Sequence, residues 1–446
     1  MAIELTRGEV ETYLADEDTL IHNPIDDLLV EWQTDGEQTT WIPLVYETSV
    51  LVTKGNTIHL QSRFKDVTLA VSKGIVDAPN NIAAFILNGV AVNVPINVKS
   101  FSIGGGHSAI IKEDGTVWTT GKNSHGQLGV GEPDRPYETM FKNTGHTAIQ
   151  VSCGLNHTVI LKEDGTVWAC GDNTYGQLGL GEDEEDDVFE NTGHTAIEIS
   201  AGGNNTFIIK VDETLWCTGK NGDGQLGLGD EQQREMFTDT GVTECRFVSN
   251  SITHTVIGVG IGSLYATGNN DHGQLGQDGT ENSKVFLPIS SPVTEPIIQD
   301  ISCGENFTMV IVNHQTFSCG KNNHGQLGLG TTRDRHTLVD TGETNCSQVA
   351  CGNNHVLLLM NNGDLKGAGY SDKGQLGQGT EDLDYINFIT LTPGAFNKIS
   401  VGLDSSMVTS TVDNNLWVTG DNITRQLGVD HDEVYEFTDA EKTLKE

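Results

Sequence analysis

Short apolar runs alternate with glycine-rich turns along most of this chain. The clearest stretch runs Ile149-Gln-Val-Ser-Cys-Gly154, His157-Thr-Val-Ile-Leu161, Lys162-Glu-Asp-Gly165 and Thr166-Val-Trp168. Runs this short, bounded by Asp-Gly, read as hairpin strands, and Asp-Gly suits a type I′ turn. The same heptapeptide, KEDGTVW, stands at Lys112 to Trp118. A Gly-Gln-Leu-Gly segment follows each group, then a polar loop of variable sequence, then a weaker strand such as Val188-Phe189. That plan predicts four strands per unit. A unit of four short strands cannot bury both faces alone, so neighbouring units must stack against it.

The unit repeats. GKNSHGQLG from Gly121 recurs as GDNTYGQLG from Gly171, GKNGDGQLG from Gly219, GNNDHGQLG from Gly268, GKNNHGQLG from Gly320 and GYSDKGQLG from Gly369. A seventh copy, GDNITRQLG from Gly420, has Arg425 in place of a glycine. Successive copies start 50, 48, 49, 52, 49 and 51 residues apart, and the units cover Val98 to Phe437. The expected fold is all-β: a seven-bladed β-propeller of four-stranded blades over residues 98–446, preceded by a small β-rich domain over residues 1–97. The core G-x-N-x-x-G-Q-L-G, with V-W-x-x-G before it and G-x-x-H further upstream, resembles the repeat family of the regulator of chromosome condensation. The resemblance covers about three quarters of the chain and implies the same seven-bladed propeller. It is specific, because many copies in register at near-constant spacing are hard to obtain otherwise. The Trp-Asp and paired-glycine signatures of other propeller families do not recur. Similar repeats in bacterial and phage proteins make this chain a candidate member of that branch.

Packing accounts for the repeated residues without a reaction site. Leu128, Leu178, Leu226, Leu275, Leu327, Leu376 and Leu427 are expected to plug the core between blades. The Gln before each Leu is expected to bond loop backbone. Trp118, Trp168, Trp216 and Trp417 share one phase, filled elsewhere by Tyr265, Phe317 and Lys366, and are read as core. Lys366 breaks that pattern and marks the sixth blade as locally atypical. His107, His157, His254 and His355 share another phase, which Asn205, Phe307 and Ser405 fill in the other units. Equivalent places around a ring diverge, so these imidazoles are expected to bond turn backbone rather than a metal. His125, His272 and His324, immediately before GQLG, are read the same way. The eight cysteines form no C-x-x-C pair and no zinc spacing, so they are read as small buried residues.

The first 97 residues carry no copy of the repeat. Three hairpins are expected there: Leu28–Trp32 with Thr39–Val45, Ser49–Thr53 with Thr57–Gln61, and Ile82–Leu87 with Val90–Val94. Ring closure is left open between two donors of a shared strand, Val94–Phe101 and the tail Val434–Phe437. Glycine, at 53 residues, is well above an average of about 7% and fits the many tight turns.

Charge narrows the function. With 62 Asp and Glu against 25 Lys and Arg, the formal charge is −37, which opposes a role on DNA or an anionic membrane surface. No run of about 18 apolar residues is present, so no spanning helix is expected. The opening Met1–Arg7 is unlike a secretory leader, which predicts synthesis in the cytoplasm. The acidic run Glu182–Asp187 lacks the spacing of an EF-hand and is read as a solvated loop. Gly258–Gly262 falls at a hairpin turn and is not read as a phosphate cradle. No phosphate-binding loop, H-E-x-x-H or G-x-S-x-G occurs, so no residue is assigned a catalytic, cofactor-binding or metal role and no cofactor is expected.

The leading expectation is a non-catalytic interaction or structural protein, docked through its N-terminal domain to a larger assembly such as a phage tail or capsid. Its partners are then other protein subunits of that particle, with no nucleic acid and no membrane insertion. The family's eukaryotic namesake implies a second reading, guanine-nucleotide exchange on a small GTPase, although this chain lacks a basic tail for chromatin. The third is a glycan-binding or enzyme-inhibitor propeller, by resemblance to a secreted β-lactamase inhibitor of the same fold.

Overall fold

In the computed structural model the apolar runs are strands and the Asp-Gly segments are the turns between them. Gln150–Cys153, His157–Leu161, Thr166–Gly171 and Asp186–Thr195 form one antiparallel sheet in chain order. Seven such sheets follow one another. The first runs from Val98–Ile103, innermost, to Tyr137–Thr147, outermost; the last runs from Phe396–Val401 to Glu433–Asp439. Innermost strands of successive blades lie side by side. The structure describes residues 98–440 apart from 132–134, 182–185, 380–383, 393–395, 412–414 and 430, together with the backbone of ten strands within the first 93 residues. Residues 182–185 of the acidic run therefore lie outside the described residues, while Asp186 begins an outermost strand.

Contacts divide the chain into Met1–Pro95 and Ile96–Glu446. The first unit holds a six-stranded and a four-stranded sheet. Two of its expected hairpins form, Val30–Thr34 with Ile42–Leu44 and Ile82–Leu87 with Val90–Asn93. The third does not. Ser49–Val52 pairs with Thr19–His22 and, in parallel, with Ile82–Leu87, whereas Thr57–Ser62 lies between Val10–Leu14 and Val30–Thr34 in the other sheet. Alternation identifies a strand but not its partner, which is chosen by contacts distant in sequence.

The propeller's core lies in the seams between blades. All five positions of His157–Leu161 are buried, because this second strand of its blade has another blade against each face. Val159, Leu161 and Val167 of the second blade cluster with Ile199, Ile208 and Phe237 of the third, and Leu178 joins them. All seven motif leucines are fully buried, each worth roughly 1.5–3 kcal/mol of transfer free energy.

Neither expected donor is shared between blades. Val98–Ile103 stays in the first sheet and Glu433–Asp439 in the last. Closure is made instead by an ordinary seam. Phe101 and Ile110 of the first blade cluster with Met407 and Val418 of the last. Ser108 Oγ donates to the Gln426 carbonyl at 2.5 Å, and Thr424 Oγ1 to the Gly106 carbonyl at 2.8 Å.

Candidate functional site

Four of the seven seams carry a polar relay built from the signature residues. His107 Nε2 lies 2.8 Å from Thr158 Oγ1 of the next blade, and that hydroxyl donates to the Gln127 carbonyl at 2.6 Å. Because the hydroxyl proton goes to the carbonyl, Nε2 carries the ring proton and donates. The arrangement recurs as His157–Thr206–Gln177 at 3.0 and 2.7 Å, His254–Thr308–Gln274 at 2.9 and 2.8 Å, and His355–Ser406–Gln375 at 3.1 and 2.8 Å. The partner is thus the next blade's hydroxyl rather than turn backbone. A turn residue is next to the imidazole in sequence, but the seam places the neighbouring blade over it. Between the fifth and sixth blades both members change together: Phe307 replaces His, Val356 replaces Thr, and both are fully buried.

Burial is the main cause that holds these rings neutral. The pKa values of His107, His254 and His355 are lowered to about 3, and that of His157 to about 4. Groups this inaccessible and this weakly basic are poor general bases near neutral pH.

Within each motif the Gln behaves as expected. Gln127 Oε1 accepts from the His125 backbone N–H at 2.9 Å, and Gln326 and Gln375 accept from His324 and Lys373 at 2.9 Å. The motif Asn is an unread counterpart. Asn123 Oδ1 accepts from the Leu128 N–H at 3.1 Å, and Asn422 Oδ1 from the Leu427 N–H at 2.8 Å, while Asn422 Nδ2 donates to the Val429 carbonyl at 2.7 Å. Its invariance in register with Leu was the available signal; only in the sixth blade does Ser371 stand in, at 3.2 Å.

His272 and His324 of the second histidine set also reach across blades, but to carboxylates. His272 Nδ1 is 2.7 Å from Asp334 and His324 Nδ1 is 2.9 Å from Asp384; Lys373 and Glu433 repeat the contact at 2.8 Å. These are outward, solvent-screened clasps of modest strength.

Trp118, Trp168, Trp216 and Trp417 pack against the seam clusters as expected of core residues, but only half-buried, at the clusters' edge. Trp168 Nε1 donates to Thr166 Oγ1 at 3.0 Å, and Lys162 Nζ stands 3.5 Å from the ring centroid. The same cassette appears in the first and third blades, with Lys112 over Trp118 at 3.5 Å and Lys210 over Trp216 at 3.4 Å. Ring edges reach the seam while the lysine stem and ammonium cover an outer face. In the sixth blade Lys366 bonds Glu343 at 2.6 Å without disturbing the four-stranded sheet.

The innermost strands enclose a channel of about 290 Å³. Its wall carries a serine from six blades and Ala350 from the sixth blade in order. Ser102, Ser152, Ser249 and Ser302 each accept a backbone N–H from the next blade at 2.8–3.0 Å. Ser400 accepts from Ile103 at 3.3 Å and closes the circle. The cysteines are unbridged and buried except Cys351, which is half-buried. Burial pushes the thiols of Cys153 and Cys303 up to about 12, so they stay protonated and unreactive. Asp300, on the innermost strand of the fifth blade, accepts the Val349 and Ile301 N–H groups at 2.8 and 2.9 Å. Burial nevertheless raises its pKa to about 7.

Four-stranded blades in chain order, carrying a buried GQLG and an imidazole relay at the seams, define a propeller of one repeat class. Models of the Regulator of chromosome condensation (RCC1) repeat match residues 98–127, 148–177, 196–225 and 346–375, and also 114–161, 164–209, 262–311 and 313–359. The chain belongs to this family. It is similar to the X-linked retinitis pigmentosa GTPase regulator of Mus musculus, 33% identical over 137 residues, which are 29% of this chain and 14% of that protein. It is similar to the Regulator of chromosome condensation of Xenopus laevis, 31% identical over 130 residues, 28% of this chain and 30% of that protein. The similar stretch thus spans less than a third of either relative. Among solved structures, yeast RCC1 (Prp20) bound to Kap60 superposes with a TM-score of 0.65 at 17% identity, covering 72% of this chain and 83% of that one. Human WBSCR16 gives 0.62 at 17% identity, covering 88% and 100%. At these identities the likeness to the solved structures is one of fold.

Proposed function

We propose that this protein is a non-catalytic platform for protein partners, with the propeller displayed and residues 1–97 docking it to a larger assembly such as a phage tail or capsid. One observation carries the reading. The signature His, Gln, Asn and Leu side chains are turned into the seams and bonded there, so what differs from blade to blade and reaches solvent is loops and turns. Loops on a rigid scaffold are the usual carriers of recognition. The net charge of −37 favours partners that are basic where they touch it. The test is co-sedimentation of the full chain with particles from its natural source, followed by cross-linking and mass spectrometry to identify neighbours. Reproducible cross-links to particle subunits are expected; a chain that stays monomeric and unlinked in every fraction refutes the platform.

A second reading is favoured by the relatives, one of which is named a GTPase regulator. It is guanine-nucleotide exchange by one propeller face. Release of a fluorescent guanine nucleotide from small GTPases, accelerated by micromolar chain, would establish it.

A further inference from the structure

Each blade ends its second strand, turns, and begins its third at the same end of the propeller, where the first strand also starts. Folding asks for polar turn residues there, and the first two blades supply Glu-Asp-Gly at 113–115 and 163–165. The next two also set an aliphatic residue there. Val211 and Ile261 occupy the turns of the third and fourth blades and are 82% and 75% exposed. Three first-strand starts at the same end, Ile149, Ile197 and Ile297, are exposed as well. Backbone bonds fix their places at this end: Ile149 N–H donates to Leu161 O at 2.8 Å, Ile197 N–H to Ile209 O at 2.8 Å, two residues before Val211, and Ile298 N–H to Ile261 O at 3.4 Å. Five aliphatic side chains thus share one end of the second to fifth blades. None is required by a turn type, and single exposed aliphatics are common where a group of this kind is not.

Their surroundings are acidic. Asp164, Asp212, Glu244 and Glu295 are exposed at the same end. The bases present there are already engaged: Lys162 and Lys210 lie on Trp168 and Trp216, and Arg246 pairs with Glu213 at 3.3 Å. An apolar surface in a negative field repels a second copy of this acidic chain and anionic lipid alike. It complements a segment that alternates large apolar residues with Lys or Arg.

We infer that this end of blades two to five is the docking surface for a basic, amphipathic segment of a partner protein. The inference rests on the platform reading and assigns the face that platform uses.

The experiment measures binding of a labelled synthetic Lys/Leu amphipathic peptide to the full chain by fluorescence anisotropy. Glu/Leu and Lys/Ser counterparts serve as controls. The Lys/Leu peptide is expected to bind tighter than both, and more weakly as salt is raised. The double variant Val211→Asp/Ile261→Asp, altered only at exposed turn tips, is expected to weaken it at least about tenfold. Ile423→Asp, on an exposed loop at the opposite end, should leave it unchanged. Equal binding by the double variant, or a Lys/Ser peptide that binds as tightly as Lys/Leu, overturns the proposal. So does a native dimer that the double variant abolishes, since the patch then seats a second copy. If particle neighbours are still cross-linked by the double variant, the face is wrong while the platform stands; if no neighbour is cross-linked even by the native chain, the platform itself fails.

Discussion

Thr158→Val is the sharpest probe of the seam relay. Valine keeps the shape of threonine and removes the hydroxyl that joins His107 Nε2–H to the Gln127 carbonyl. Both groups are fully buried, and His107 Nδ1 has no partner of its own. The imidazole N–H is then left unsatisfied at a cost of about 1–3 kcal/mol. The carbonyl loses less, because the Cys170 thiol still approaches it at 3.6 Å. The expected total is about 2–4 kcal/mol. The fifth seam already holds the compensated pair, so His107→Phe/Thr158→Val should recover more than half of that loss. Phe307 shows that the ring has room, since it lies against Gly304 as His107 lies against Gly104. Equilibrium urea denaturation of the four proteins in a double-mutant cycle reads this directly, with unchanged m-values as the condition for comparison. A coupling of about 1–3 kcal/mol favouring the double variant is expected. Strictly additive changes, or a single variant within about 0.5 kcal/mol of native, would refute the relay as a source of stability.

Acid should weaken the seams through the same rings. Their folded pKa values of about 3 to 4 lie below the ordinary 6.5, so their contribution is complete above pH 6.5 and is lost as pH falls toward 4 and 3; at pH 5 each costs about 2 kcal/mol. His107→Phe/Thr158→Val should therefore lose less stability between pH 7 and pH 5 than the native chain does, and an identical loss in urea midpoints would contradict this. Asp300 has the opposite sign: raised to about 7, it contributes most below the ordinary 3.8 and loses that contribution as pH rises through 7. Gly176 has φ of 78° and a Cβ there would lie 2.3 Å from Glu235 Cα, so Gly176→Ala should cost more than about 2 kcal/mol in urea denaturation; Arg425 holds the equivalent place at φ 65°, and Arg425→Gly should be tolerated within about 1 kcal/mol in the same assay. Lys162→Met should cost about 0.5–1 kcal/mol by removing the cation from Trp168 and shift the tryptophan emission, whereas an unmoved spectrum would show the contact is not formed in solution.

The wheel was legible because its periodicity is a property of the sequence itself, and because Asp-Gly turns act locally. What escaped depends on the neighbour. The imidazole partner lies in the following blade, so no inspection of a single repeat reveals it; comparing His107 with Thr158 and Phe307 with Val356 in parallel would have. The half-buried setting of Trp168 depends on Lys162 lying across it, which residue type alone does not convey. In the N-terminal unit the strands around Gly55 were visible but their partners were not, since Ser49–Val52 and Thr57–Ser62 each find better neighbours elsewhere. Ile261 falls within a glycine-rich hairpin turn that the sequence marks, but its exposure and that of Val211 depend on what the folded blades leave uncovered.

Because each joint is half owned by the blade before it and half by the one after, a blade is not an interchangeable cassette. Duplicating the fifth blade in tandem would set Phe307 against a threonine, and deleting it would set His254 against Val356. Gain or loss of a sector in this lineage is therefore constrained to steps that bring both halves of a joint along, and the order of the blades is itself inherited information.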